Sequence, residues 1–192
     1  MIPRHIIPVL LLLMLPLFAK AGNSREQLCN SGVCFDSRIE VNGEKLSARG
    51  IGTFRVWGFR VYTTTLYIPD GVEGLDEVLG ADTPRRLVLH YHRSITAEEL
   101  AESTEEFARK NPRNDMDALR DRFDKLYEAY KDVSSGDEYS ITYDPGKGTT
   151  VALNGEDIVH IEGEDFARAF FGIWLSEEPI SSSIRDRLIE LD

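Results

Sequence analysis

Apolar and polar positions alternate near both ends of the chain, and this two-residue period predicts β-strands. Asn42-Gly43 and Asn154-Gly155 lie between strand-like runs and are typical of tight two-residue hairpins. The residues from Asp144 to Gly148 predict a further hairpin turn. The pattern predicts strands over residues 37–41, 44–51, 86–92, 138–143, 149–153 and 157–161, and a longer β-rich run over 53–68.

Apolar residues recur every three to four positions in the middle of the chain and near its end, which predicts helices. Thr96 followed by Glu99 forms a capping box that starts the first long helix. Because strands flank a helical middle and are joined by hairpins, we predict an α+β fold, an antiparallel β-sheet with a layer of helices packed on one face. The helices are predicted over residues 75–79, 96–110, 115–131 and 165–175, with a last short apolar stripe at Ile184, Leu188 and Leu191.

Trp57-Gly58 lies inside the β-rich run and has two interpretations, a hairpin turn or a glycine bulge in one long strand. With a turn, Arg55 lies opposite Arg60 and shares a sheet face with Tyr62. With a continuous strand, Arg55 and Tyr62 point to opposite faces, and Tyr67 becomes the companion of the arginine.

The N-terminus has the pattern of a secretory signal over residues 1–21. Arg4 and His5 precede an apolar run over residues 6–18, and Ala19-Lys20-Ala21 supplies a small-x-small cleavage site. The run is about a dozen residues long, whereas a membrane-spanning helix needs roughly 20. We therefore predict cleavage after Ala21 and export to the periplasm.

Cys29 and Cys34 are the two cysteines of the chain. Export brings them into an oxidising compartment, so we predict a disulfide that closes a six-residue loop. Redox catalysis usually uses a C-x-x-C spacing, which this pair lacks. The predicted organisation is an N-terminal segment over residues 22–34 that carries the disulfide, followed by one domain over residues 35–192.

The net charge of the chain excludes some classes of binding partner. The net charge is −11, and removal of Arg4 and Lys20 with the signal makes it −13. Such a surface repels phosphate backbones and anionic headgroups, so we predict no nucleic-acid partner and no stable membrane anchor after cleavage.

The G-x-S-x-G motif of hydrolases does not occur, and residues 146–149 lack the spacing of a phosphate loop. His90 and His92 could supply two metal ligands, but no third ligand is evident, so we expect neither metal nor cofactor.

Several short motifs occur in a fixed order over residues 35–190: Phe54-Arg55, Val61-Tyr62, Leu66-Tyr67, the strand over 86–92, Tyr143-Asp144-Pro145-Gly146, Gly148-Thr149, Asn154-Gly155, Ile173-Trp174-Leu175 and Pro179. Through these motifs the chain resembles the exported bacterial branch of the chalcone isomerase-like family. The resemblance implies a ligand cleft between the sheet and the helices. It also implies two functions: enzymes of this family close a flavanone ring by intramolecular addition of a phenolate, and fatty-acid-binding relatives bind a carboxylate.

The resemblance also implies site residues. It assigns the family's arginine to Arg55, its catalytic threonine to Tyr62 and its catalytic tyrosine to Leu100, with further ligand contacts near Ser103 and Phe107. A leucine cannot donate a hydrogen bond to a ketone or enolate oxygen, a contact worth about 3 kcal/mol in a transition state. An arginine can still hold a carboxylate.

From these substitutions we predict an exported domain that binds a small amphipathic anion, such as a fatty acid, without turnover. The predicted ligand-binding residues are Arg55, Tyr62, Tyr67 and Leu100, with apolar lining from Trp57, Phe59, Leu100 and the helix stripes. One alternative is an intramolecular lyase that uses Tyr62 as an acid. Another is an envelope scaffold whose cleft is filled by bulky side chains, among them Phe107, Phe123, Phe170 and Trp174.

Overall fold

The computed structural model of the chain describes residues 26–189. The predicted signal over residues 1–21 and Leu191 of the last apolar stripe lie outside the described residues. No helix within residues 26–189 has the length and apolar character needed to cross a membrane.

Seven strands form one antiparallel sheet in which the order of the strands follows their order along the chain. Each strand pairs with the next one. Hairpin turns join the first three strands and the last three, whereas helical segments join the third strand to the fourth and the fourth to the fifth. This confirms the predicted antiparallel sheet. The strands are β3 (Arg38–Val41), β4 (Glu44–Val56), β5 (Phe59–Ile68), β6 (Arg85–Tyr91), β7 (Glu138–Asp144), β8 (Gly148–Leu153) and β9 (Glu156–Ile161).

Five helices accompany the sheet within the described residues, and the longer ones cover one of its faces, which we call the inner face. Thr96 caps the second helix with the predicted capping box. The helices are α1 (Leu75–Val78), α2 (Ala97–Lys110), α3 (Met116–Ala129), α4 (Glu164–Leu175) and α5 (Ser182–Leu188).

The main hydrophobic core fills the space between the inner face and the helices. Phe123 of α3, Phe166 and Phe170 of α4 and Leu66 of β5 are at most 1% exposed. A smaller apolar cluster lies on the opposite face of the sheet, which we call the outer face, and consists of Phe35, Leu46, Tyr67 and Val88. The two faces of the sheet are therefore packed by separate sets of side chains.

The N-terminal segment forms a small hairpin that the sequence pattern did not predict. It comprises β1 (Gln27–Asn30) and β2 (Val33–Asp36), a two-stranded sheet of its own. Cys29 lies opposite Cys34 and forms a disulfide with it, which confirms the predicted pairing. The hairpin contacts the main sheet through Ser31 and Asn30, both of which hydrogen-bond to Thr53.

Strand β4 is longer than predicted. The sequence indicated a strand ending at residue 51 and a separate β-rich run from residue 53, but β4 continues from Glu44 to Val56. Gly52 does not interrupt the strand because it faces helix α5, where an added Cβ would meet the side chains of Ile184 and Arg187. The glycine allows close packing of α5 rather than ending the strand.

Arg85 is a fully buried cation with no carboxylate partner within the described residues. Its guanidinium lies 4.3 Å from the ring centre of Tyr143 and 4.8 Å from that of Phe171. Its Nη1 group donates to the carbonyl oxygens of Gly80 and Thr83. Burial lowers the pKa of Arg85 to about 10. The arginine thus connects the loop after α1 to the sheet and to α4.

Trp57-Gly58 is a hairpin turn, which settles the two interpretations of this dipeptide. Both residues have positive φ, 49° for Trp57 and 87° for Gly58, and Arg55 pairs with Arg60 as the turn predicts. The prediction that Arg55 shares a face with Tyr62 was wrong. Tyr62 pairs with Phe54, so β5 contains one extra residue, Val61, and this bulge turns Tyr62 away from the arginines.

Replacement of Trp57 by asparagine is expected to stabilise the protein by about 1 kcal/mol, because a bulky residue at positive φ is strained whereas asparagine tolerates this conformation. Asn42 and Asn154 occupy the same turn position in two other hairpins, at φ of 52° and 51°. Urea unfolding of Trp57→Asn and wild type measures the difference. Asn154→Trp is the reciprocal control and should be destabilised; equal stabilities of all three proteins would contradict the argument.

Candidate functional site

A cavity of about 110 Å³ lies between the inner face of the sheet and helices α2 and α4. Three strands contribute tyrosines to it, α4 contributes large apolar side chains, and α2 contributes one leucine and three polar residues. Its lining residues are Phe54, Val61, Tyr62, Leu89, Tyr91, Ile95, Glu99, Leu100, Ser103, Thr104, Tyr130, Tyr139, Ile141, Val151, Phe170, Ile173, Trp174 and Ile180. Ligand pockets usually measure about 300 Å³ or more, so this cavity suits a small ligand or a short apolar group.

Tyr62 is held in place from two sides. Its ring stacks on Phe54 at a centroid distance of 5.2 Å, and its hydroxyl oxygen accepts a hydrogen bond of 3.0 Å from the indole N–H of Trp174. The hydroxyl proton itself has no acceptor within the described residues, so it remains available to a ligand. Burial raises the pKa of Tyr62 well above its ordinary value, although the Trp174 bond lowers it in part. The phenol is therefore a neutral donor at physiological pH.

Tyr91 brings a second free hydroxyl to the same cavity. The residue is 5% exposed, and its ring makes an edge contact with Tyr62 at 5.9 Å. Its hydroxyl forms no hydrogen bond with any described residue. Burial, and then the neighbouring tyrosines, raise the pKa of Tyr91 well above its ordinary value. The hydroxyl oxygen itself is not fully enclosed, so a ligand or a water molecule in the cavity can reach it and form the hydrogen bond that the protein does not supply.

Three other polar groups of the cavity already have partners. Thr104 and Tyr130 share a hydrogen bond of 3.0 Å between their hydroxyls. The hydroxyl of Tyr139 donates to the carbonyl oxygen of Lys131 and accepts from its N–H. Tyr62 and Tyr91 therefore supply the unused phenol donors, and the Ser103 hydroxyl at the lining forms no hydrogen bond with a described residue either.

The charge of the cavity differs from the sequence-based expectation. No lysine or arginine lies among the lining residues described above, and Glu99 is the charged residue among them. The N–H and the hydroxyl of Thr96 donate hydrogen bonds to the Glu99 carboxylate and lower the pKa of Glu99, so this side chain is anionic at neutral pH. The lining therefore offers no cation to an anionic ligand head.

The predicted site residues fall on two different faces of the sheet. Tyr62 and Leu100 line the cavity, as does Ser103. Arg55 lies on the outer face, is exposed, and donates to the hydroxyl of Ser31 at 3.3 Å and to the carbonyl oxygen of Thr53 at 3.5 Å. Tyr67 also faces outward and donates to the carbonyl oxygen of Asp36 at 2.8 Å. The four residues therefore do not form one site.

The predicted apolar lining was wrong at two positions. Trp57 is 94% exposed and Phe59 is 72% exposed, and neither lines the cavity. Both lie at the β4–β5 turn, where the hairpin extends beyond the helices. The bulge at Val61 brings that residue into the lining instead.

His90 and His92 lie side by side on the outer face, with their ring centres 5.8 Å apart. His92 Nε2 is hydrogen-bonded to the Thr63 hydroxyl at 2.7 Å, which in turn contacts the Thr53 hydroxyl at 2.9 Å. No group of three or more His, Cys, Asp or Glu side chains close enough to hold a metal occurs in the described part of the chain. His92 instead belongs to a hydrogen-bond network that reaches Ser31 through Thr63 and Thr53.

A wide open depression of about 940 Å³ lies on the outer face and contains Tyr67. Its rim mixes cations and anions, with Arg38, Lys45 and Arg86 beside Glu40 and Glu138. Because the depression is open to solvent and its charges are of both signs, its geometry favours no particular ligand. The cavity on the inner face is more enclosed and more apolar, so it is the better candidate site despite its smaller volume.

Comparison with known proteins identifies the relatives of this fold and cavity. Residues 29–190 match the model of a family described as chalcone isomerase-like. The chain belongs to the chalcone isomerase-like family. No curated protein matches the sequence.

A solved structure within this fold is that of a fatty-acid binding protein from Arabidopsis thaliana. The two share 18% sequence identity and superpose with a TM-score of 0.64, over 86% of this chain and 96% of the plant protein. At this identity the likeness establishes the chalcone isomerase-like fold, with helices packed on one face of a curled antiparallel sheet.

Sequence reasoning missed several cavity residues of this family member. Tyr91, Tyr130, Tyr139 and Trp174 line the cavity, but only Trp174 had been singled out, as a bulky filler. Tyr91 could have been found, since it alternates along β6 with Leu87 and Leu89 and therefore shares an apolar strand face with them. Tyr130 ends the apolar stripe of α3, and the sequence does not reveal that its hydroxyl reaches Thr104.

Proposed function

We propose that this chalcone isomerase-like domain binds a small amphipathic ligand in the cavity between its sheet and helices. The observation that carries the proposal is the pair of unused phenol donors, Tyr62 and Tyr91, in a cavity whose surface is mainly apolar. They suit an oxygen-bearing head, while Leu100, Phe170 and Ile173 suit an apolar body. The fatty-acid binding activity named for the Arabidopsis protein agrees with this class of ligand.

The head is expected to be uncharged. A carboxylate would lose its hydration beside Glu99 and would find hydrogen bonds but no cation at the lining. A ketone, an ester or a protonated acid avoids this cost. The anionic version of the proposal, with Arg55 as the carboxylate anchor, would require this arginine to act from the outer face of the sheet.

Two observations favour binding over lyase chemistry. Leu100 has no hydroxyl, and the Tyr62 phenol has a pKa raised far from neutrality, which makes it a poor general acid. A filled-cleft scaffold is the second candidate, and the observation that favours it is the cavity volume of about 110 Å³. For comparison, an engineered apolar cavity of about 150 Å³ binds benzene.

We further propose that the chain is exported, as predicted from the signal pattern over residues 1–21. The disulfide between Cys29 and Cys34 supports this proposal, because such bonds persist in oxidising compartments. The division into signal, N-terminal segment and domain remains a prediction.

Cyclohexanone is expected to bind in the cavity and to change the fluorescence of Trp174, which lines it. The Trp57→Phe protein is used because it removes the other, exposed tryptophan. Tyr91→Phe should weaken binding about fivefold, the effect of one lost hydrogen bond. Hexanoic acid, of similar size, should bind more tightly near pH 4.5, where about half of it is uncharged, than at about pH 7.

Tyr67→Phe is the matched control, because this tyrosine is buried on the outer face and should leave binding unchanged. Tighter binding of hexanoate at neutral pH, lost in Arg55→Gln, would replace the neutral-head proposal with the anionic one. A fluorescence signal that neither probe changes would favour the filled-cleft scaffold.

A further inference from the structure

The tip of the β4–β5 hairpin exposes a contiguous apolar surface. Val56 is 38% exposed, Trp57 94% and Phe59 72%, and these are the large hydrophobic residues that the described chain leaves exposed. We call Val56, Trp57 and Phe59 the hairpin tip. A single exposed apolar residue is ordinary, but three within four positions on a protruding turn indicate an interaction surface.

The turn itself does not require a tryptophan. Ser31, Asn42 and Asn154 occupy the equivalent first position of the other turns in which a residue of positive φ precedes a glycine. Small polar residues suit this conformation, whereas Trp57 is strained in it. Because Trp57 is strained at this position, its presence indicates a role other than stabilising the fold.

Two arginines flank the hairpin tip. Arg55 and Arg60 pair directly across β4 and β5, both are exposed, and neither forms an ion pair within residues 26–189. Arg60 donates to the Ser31 carbonyl oxygen at 2.8 Å, and Arg55 donates to the hydroxyl of the same residue. The disulfide-closed hairpin thus holds both guanidinium groups beside the apolar residues.

We propose that the hairpin tip inserts into the interface of a lipid bilayer that contains anionic lipids, while Arg55 and Arg60 contact lipid phosphates. Tryptophan and phenylalanine favour the boundary between headgroups and acyl chains, and arginines nearby are attracted to anionic headgroups. The inference goes beyond the proposed ligand binding and does not depend on it.

The dimensions of the tip favour a lipid surface over a protein partner. Specific protein interfaces usually bury about 800 Å² on each side, more than three residues at a turn supply. Interfacial insertion needs only a few apolar side chains. The net charge of −11 does not prevent contact, because charges farther away than a Debye length of about 10 Å are screened. Glu98 and Glu99 lie at the start of α2, which packs on the inner face, while the arginines project from the outer face.

Docking by the tip would bring the cavity close to the lipid. Phe54 and Val61 lie immediately behind the tip on the same hairpin, and both line the cavity. An amphipathic molecule that leaves the bilayer would therefore meet the cavity next to the site of insertion.

Vesicle flotation of the full protein tests the proposal. Wild type should float with vesicles of phosphatidylcholine and phosphatidylglycerol, and more weakly with pure phosphatidylcholine. Trp57→Asn/Phe59→Ser should lower the partition coefficient at least tenfold, and Arg55→Gln/Arg60→Gln should lower it about fivefold for each charge removed. Arg38→Gln/Lys45→Gln is the control, since it removes two exposed cations, one on β3 and one at the end of β4 far from the tip, and should change binding much less.

Trp57 can report its own depth. In the Trp174→Phe protein, lipids with brominated acyl chains should quench the fluorescence of Trp57 when the protein binds. A protein that contacts the headgroups alone would not be quenched by these chains. Circular dichroism verifies that each variant is folded. Equal flotation of wild type and the tip variant would overturn the proposal. Absence of wild-type flotation would also overturn it. Self-association that depends on Trp57, without vesicle binding, would overturn it too and would indicate that the tip contacts protein.

Discussion

Raising the pH above about 10 is expected to unfold this protein cooperatively, because folding raises the pKa of all seven of its tyrosines. Burial is the main cause at each of them. Phenols of the unfolded chain ionise near pH 10, while those of the folded chain keep their protons. The stability that depends on them is therefore complete below pH 10 and is lost as the pH rises toward the folded-state values.

The expected loss of stability is steep. Tyr62, Tyr67 and Tyr91 are at most 5% exposed, and each should lower the free energy of unfolding by about 1.4 kcal/mol per pH unit. For Tyr67 the loss continues up to its folded pKa of about 12. Arg85 has the opposite effect on stability. Burial lowers its pKa to about 10, so the folded state is stabilised as the pH rises above that value. This is the effect of a single group against that of several tyrosines. Domains are stable by only about 5–15 kcal/mol, so two pH units suffice for unfolding.

Urea titrations between about pH 8 and pH 11 measure this loss, with tyrosinate absorbance recorded alongside circular dichroism. Tyr67→Phe should reduce the slope of stability against pH by about 1.4 kcal/mol per unit. Tyrosines that ionise near pH 10 without any change in circular dichroism would contradict the expectation.

Replacement of Gly50 by alanine should destabilise the protein by about 3 kcal/mol, at the upper end of the usual cost of overpacking. An added Cβ at this position would overlap the backbone carbonyl oxygen of Arg187 in α5. A backbone atom of a packed helix cannot move aside without shifting the helix. Urea unfolding measures the difference in the free energy of unfolding.

Gly52→Ala is the matched control on the same strand. Its added Cβ would lie 2.9 Å from the terminal Cδ1 of Ile184, which is the far end of a flexible side chain. Ile184 can change its rotamer, so the expected cost is about 1 kcal/mol. Equal costs at Gly50 and Gly52 would indicate that α5 does not rest on the strand as described.

The fold was predictable because local signals agreed with one another. The Asn-Gly dipeptides, the capping box at Thr96 and the alternation along β6 to β9 each correspond to observed elements. The end of β4 was not predictable, because a glycine within a strand pattern can signal a break or close packing, and the neighbour of Gly52 lies over 130 residues away in the sequence. The hairpin of β1 and β2 was missed because its strands have only four residues each.

The candidate site was predicted only in part. Tyr62 and Leu100 line the cavity, but alternation alone assigns the faces of β5 only where the strand is regular. The bulge at Val61 shifts the register by one residue, so counting from the turn placed Arg55 on the wrong side. Trp57 and Phe59 were assigned to the lining from their apolar character, which does not distinguish a buried aromatic residue from one displayed on the surface.

The alternation of β5 also constrains how related chains can vary in length. Tyr62, Thr64 and Leu66 face the helices, while Thr63, Thr65 and Tyr67 face outward. An insertion or deletion of one residue between Tyr62 and Tyr67 would exchange these two sets and destroy the cavity and the outer cluster together. Substitutions are tolerated far more readily than such changes. We therefore expect length differences among relatives to concentrate at the turn, where an added residue leaves both faces in register.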